Sequence, residues 1–86
     1  MPRISEYYGI AIYMYYQDYA PPHFHAIYQE HEATIVIKNG SVLDGALPKR
    51  ALKLVKEWNK LHRDELNANW ELARAKVKLK KVAPLD

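Results

Sequence analysis

The 86 residues contain no cysteine, which excludes a disulfide frame and a thiolate zinc knuckle and is compatible with a reducing compartment. No apolar run is long enough for a membrane span or a signal peptide, so a soluble, cytoplasmic chain is expected. The turn at Gly45 lacks a phosphate-loop pattern, and no serine has the neighbours that would make it a nucleophile. There are neither internal repeats nor low-complexity tracts. One small domain over residues 1–86 with a modest core is what this length allows.

What is present is unevenly distributed. Residues 1–37 carry Arg3 against Glu6, Asp18, Glu30 and Glu32, whereas residues 38–86 carry an excess of lysine and arginine. All 7 tyrosines fall between Tyr7 and Tyr28. Acidic and aromatic residues thus open the chain and basic residues close it, which points the second half toward an anionic or acidic partner, or toward a solvated basic helix.

The first half reads as sheet. Ile4 to Tyr16 is the first strand region, with Ile10, Ile12, Met14 and Tyr16 alternating with Ala11, Tyr13 and Tyr15. Gly9 marks a bulge or a close backbone approach. Gln17 to Pro22 connects to a second strand, where Pro21-Pro22 forbids helix. From His23 to Gln29, His23, His25 and Ile27 share one face, and Phe24, Ala26 and Tyr28 share the other. Glu30-His31 supplies a tight turn, and Ala33, Ile35 and Ile37 line a third strand. Asn39-Gly40 is the strongest hairpin signal and predicts a short fourth strand from Ser41 to Leu43, ended by Asp44-Gly45.

The second half reads as helix. Pro48 suits a first helical turn. At about 100° per residue, Lys49, Lys53, Lys56, Lys60 and Arg63 form one stripe, opposite Ala51, Leu54, Val55, Trp58 and Leu61. Further on, Leu66, Trp70 and Ala73 form a rotated stripe, with His62, Glu65 and Asn69 among the apolar positions. One long helix within 48–75 is expected, since no glycine or proline interrupts it; two helices bent near Arg63-Asp64 are the alternative. In the basic tail 76–86, Val77 and Leu79 alternate with lysines, predicting an edge strand or a tail docked through Val77, Leu79 and Val82.

The predicted architecture is therefore α+β: a three- to four-stranded antiparallel sheet (strands within 4–43) packed by a long C-terminal helix.

His23 and His25 carry the clearest chemistry. Two imidazoles on one strand face can chelate zinc or another divalent metal, with His62 or Glu65, three apart on the helix, as the third ligand. Alternatively the histidines brace the proline corner, and His62 and Glu65 form a buried pair joining helix to sheet, with no cofactor bound. The histidines and the lysine row could also serve a nuclease, but the row faces away from the side that carries His62. Tyr13 and Tyr15 could stack on unpaired bases or cover a protein interface. No catalytic residue is assigned on these grounds.

Gly9-Ile10-Ala11-Ile12-Tyr13-Met14-Tyr15-Tyr16-Gln17-Asp18, Pro21-Pro22-His23-Phe24-His25 and Gly45-Ala46-Leu47-Pro48 resemble the small bacterial proteins of domain-of-unknown-function family 4160. The resemblance continues through Leu54 to Trp58, Leu61 to Leu66, Asn69-Trp70 and Ala83-Pro84-Leu85. Such genes often neighbour a second small reading frame, and the pairs are suspected toxin–antitoxin modules. The resemblance carries over no catalytic residue. It implies a binding component, more readily than an enzyme, that engages a small partner protein encoded nearby. RNA or DNA and a second copy of the chain are further candidate partners. The competing expectation is a metal-assisted or histidine-based ribonuclease acting as the toxin.

Overall fold

The computed structural model describes residues 2–16 and 18–86; Met1 and Gln17, the latter part of the expected connection, lie outside the described residues. The chain is α+β, with a five-stranded antiparallel sheet in the order β1-β2-β3-β4-β5 followed by two helices. The strands are β1 (Arg3–Tyr7), β2 (Ile10–Tyr13), β3 (His23–Tyr28), β4 (His31–Val36) and β5 (Val42–Gly45). The helices are α1 (Lys49–Leu61) and α2 (Arg63–Arg74).

The count of strands exceeds the expected three to four because the first strand region is a hairpin. Tyr8 and Gly9 take φ of 50° and 78°, the left-handed pair that reverses a chain in two residues. Gly9 is thus the tip of a turn and not a bulge, and Tyr7 pairs with Ile10 across it. An aromatic residue at positive φ is uncommon, so propensity gave no warning. The next turn lies at Gln29-Glu30, one residue earlier than expected, with Tyr28 opposite His31. At Asn39-Gly40 the reversal is wider than two residues: Gly40 N–H donates to Val36 O at 2.7 Å. Asp44 and Gly45 close β5 and do not break it. Gly45 has φ +76°, and a Cβ there would lie 2.2 Å from the Glu32 carbonyl oxygen, so only glycine fits.

Opposite residues of antiparallel strands share a face. One face holds Tyr7, Ile10, Ile12, Phe24, Ala26, Ala33 and Ile35, all buried. α1 covers it with Ala51, Val55 and Trp58. The Trp58 ring meets Tyr7 at 5.3 Å and Phe24 edge-on at 5.6 Å. The other face carries two transverse rows. One is Glu6, Ala11, Ile27, Glu32; the other is Arg3, Tyr13, His25, Thr34, Asp44.

The single long helix is corrected to two. At His62 the backbone takes φ −119°, ψ 24°, yet His62 N–H still reaches Trp58 O and Leu66 N–H reaches His62 O. The break therefore leaves both amides bonded. A straight helix would turn Trp70 roughly 120° away from Trp58. The change of axis instead lets Leu66, Asn69, Trp70 and Ala73 bury at the end of the sheet where β3 begins and β4 finishes. Leu61, expected on the buried side, is 66% exposed at that corner.

No strand forms in residues 77–86. The tail runs past β1 with a backbone bond from Val82 N–H to Ile4 O. Val82 is buried and Leu79 half-buried, while Val77, expected to dock, is exposed. No helix among the described residues is long and apolar enough to cross a membrane.

Candidate functional site

The proline corner and β3 gather three polar side chains. Asp18 comes from the connection after β2, and its Oδ1 accepts the Tyr19 amide at 2.9 Å. Its Oδ2 lies 2.9 Å from His23 Nε2 and 3.1 Å from His25 Nε2. The far nitrogens are engaged as well. His23 Nδ1 lies 2.7 Å from Pro21 O; a carbonyl can only accept, so Nδ1 carries the proton. His25 Nδ1 faces Thr34 Oγ1 at 3.4 Å and Glu32 Oε2 at 3.6 Å.

Packing holds both rings. Trp70 lies 5.1 Å from the His23 ring, and Tyr15 lies 4.2 Å from the His25 ring. His23 is 5% exposed and His25 13% by side chain. Partial burial pushes the Asp18 carboxyl up. Hydrogen bonds from His25, the Tyr19 amide and His23, with the His23 charge, outweigh it and hold the group below the usual carboxylate range. Burial first, then the charges of Glu32 and Asp18 and the neighbouring Tyr13, push the Tyr15 hydroxyl up.

The expected third partner is replaced. The ligand-competent atoms of His23 and His25 group with Asp18, all within 4.8 Å of one another, and not with His62 or Glu65. His62 Nδ1 bonds Glu65 Oε1 at 2.7 Å, as their helical spacing requires. Their place is the α1–α2 corner, where the His62 ring lies 5.6 Å from Trp58. Glu65 is exposed and not part of a buried anchor, because the buried stripe of α2 is Leu66, Asn69, Trp70 and Ala73, which leaves Glu65 about a quarter-turn to its side. Asp18 was missed because it lies in a loop. Its signal was an acid five residues before His23, ahead of two prolines that turn the chain back.

The nucleic-acid candidates divide between opposite sides of the molecule. Lys49, Lys53, Lys56 and Lys60 are exposed along the outer side of α1. Arg63, assigned to the same stripe, is half-buried with its Nε–H donating to Ile37 O at 3.1 Å. Tyr13 lies on the sheet face that α1 does not cover, and Tyr15 packs at a tilt against His25 of that same face.

Residues 9–71 match a family model described as Domain of unknown function (DUF4160). No curated protein and no solved structure matches the chain.

Proposed function

Since the chain belongs to the DUF4160 family, whose description assigns no activity, we propose from its own surfaces that it is a binding protein, docking a small basic partner protein on the uncovered face of its sheet. The observation that carries this reading is the make-up of that face. Half-buried Ala11, Ile27 and Tyr13 form its centre, and Glu6, Glu32 and Asp44 stand at its margins; among the described residues of these two rows Arg3 is opposed in charge, and it pairs with Glu6 at 2.9 Å. An apolar centre inside a charged rim is the make-up of protein interfaces, and the acidic rim selects a cationic partner. The family resemblance supplies the candidate: the product of a neighbouring gene in a two-gene bacterial module.

The test is co-purification with that product. Ile27→Glu and Tyr13→Glu are expected to abolish the complex while the circular dichroism spectrum is unchanged, and Lys53→Glu with Lys56→Glu is expected to leave it intact. The reverse pattern refutes docking on the sheet. A complex of two copies of this chain, lost on Ile27→Glu, replaces the basic partner with self-association.

A second reading is favoured by the Asp18–His23–His25 group: metal-assisted hydrolysis of RNA. The histidine-only version is weaker, because both Nε2 atoms are committed to one carboxylate oxygen and the lysine row lies on the far side of the sheet. RNA cleavage that requires added zinc or manganese, and that His25→Ala abolishes, supports this second reading; its absence leaves the binding role alone.

A further inference from the structure

We propose that Asp18 Oδ2, His23 Nε2 and His25 Nε2 form a site for one divalent transition-metal ion of the zinc class. Two imidazoles and one carboxylate are a donor set that zinc, cobalt and nickel accept.

The argument rests first on orientation. A histidine that ligates metal through Nε2 holds its Nδ1 proton on a carbonyl, carboxylate or similar acceptor, which fixes tautomer and ring angle. His23 has this arrangement, with Pro21 O 2.7 Å from its Nδ1, and His25 has two oxygens near its Nδ1 that can serve the same end, Thr34 Oγ1 at 3.4 Å and Glu32 Oε2 at 3.6 Å. Their Nε2 atoms consequently converge, and they converge on a carboxylate.

Spacing is the second support. On a tetrahedral ion with bonds of about 2.0–2.1 Å, neighbouring ligand atoms sit roughly 3.3 Å apart. The Asp18 oxygen lies 2.9 Å and 3.1 Å from the two nitrogens, so an ion requires those pairs to separate by only a few tenths of an ångström. Trp70 and Tyr15 already restrict the rings, so little side-chain freedom remains to be lost on binding.

The hydrogen-bond geometry of His23 is a third support. With the Nδ1 proton directed at Pro21 O, 2.7 Å away, its Nε2 lone pair faces the Asp18 carboxylate oxygen at 2.9 Å, an arrangement of two acceptors that a shared metal ion makes favourable. Three protein ligands leave at least one position of a tetrahedral ion free, for water or for a donor brought by a partner.

The probe is cobalt(II) titrated into the full chain after chelator treatment, followed by its visible absorption, with zinc as competitor. One equivalent is expected to bind and to be displaced by zinc. Asp18→Asn and His25→Ala are each expected to weaken binding at least about tenfold, and His62→Ala to leave it unchanged. Asp18 is in a loop, so Asp18→Asn remains decisive should His25→Ala fail to fold. Absence of saturable cobalt binding by the folded wild type overturns the proposal, as does loss of binding on His62→Ala with retention in Asp18→Asn. The readout is independent of partner docking and of RNA cleavage.

Discussion

The side chain of Asn69 bonds the main chain of Lys80 in both directions, its Nδ2–H donating to Lys80 O at 2.8 Å and its Oδ1 accepting the Lys80 amide at 3.0 Å. A buried amide on α2 thereby does for the tail what a neighbouring strand does for a sheet edge. It fixes the segment that carries Val82 to Ile4 and Ala83 to the Trp58 indole.

Asn69→Ala is therefore expected to cost about 1–3 kcal/mol, since it strips partners from both Lys80 main-chain groups. Lys80→Ala, which removes only an exposed side chain, should stay within about 0.5 kcal/mol of wild type. Thermal melts measure both, and limited proteolysis should nick the tail of the Asn69 variant first. Equal losses in the two variants would show that the tail is held by something other than this pair.

The same contact explains part of what the sequence could and could not reveal. The alternation of Phe24, Ala26, Ile35 and Ile37 and the stripe of Ala51, Val55 and Trp58 identify sheet, helix and their shared core, because periodicity records burial directly. Asn69 at an apolar position was visible, but its partner eleven residues on was not. The hairpin at Tyr8 depends on a left-handed aromatic residue, and the break at His62 depends on which surfaces α2 must cover; both are tertiary demands that override local preference. For the site, strand alternation correctly aims His23 and His25 to one side. Their partner Asp18 lies in a loop, where no periodicity constrains direction.

Trp58→Ala is expected to cost about 3–5 kcal/mol, the range for removing a buried large aromatic. The ring is fully buried between Tyr7 and Phe24, and its Nε1–H donates to Ala83 O at 2.8 Å, so the variant also loosens the tail. Lys56→Ala on the outer side of the same helix should be nearly neutral. Denaturant midpoints showing similar losses would contradict the orientation of α1.

Tyr7 offers a prediction of opposite sign. Its hydroxyl is buried with no hydrogen-bond partner among the described residues, so Tyr7→Phe is expected to leave stability unchanged or to raise it by about 1 kcal/mol. Burial pushes the folded-state ionisation of this hydroxyl well above the ordinary value of 10.0. Above that value the unfolded chain loses the Tyr7 proton while the folded protein keeps it. Ionisation of Tyr7 consequently takes nothing from stability below pH 10 and lowers it progressively as pH rises further. Stability measured from pH 8 to 11 should fall less steeply for Tyr7→Phe than for wild type; parallel curves would place the hydroxyl in water.

The separation of lysines from tyrosines decides how this protein can meet nucleic acid. Lys49, Lys53, Lys56 and Lys60 follow one another along the exposed side of α1 at intervals of about one helical turn, whereas Tyr13 faces away from that helix across the sheet. A strand lying on the lysines cannot stack on Tyr13 at the same time. Binding to α1 is accordingly expected to be purely phosphate-directed: weak, tolerant of sequence, and steeply weakened by salt. Lys53→Ala and Lys56→Ala should each flatten the plot of log affinity against log salt by about 0.7–0.9, and Tyr13→Ala should leave affinity for single-stranded RNA as it was. Fluorescence anisotropy over a salt series distinguishes the cases. A Tyr13 variant that loses RNA binding while the double lysine variant keeps it would move the nucleic-acid surface to the sheet, and the basic partner protein would then need another site.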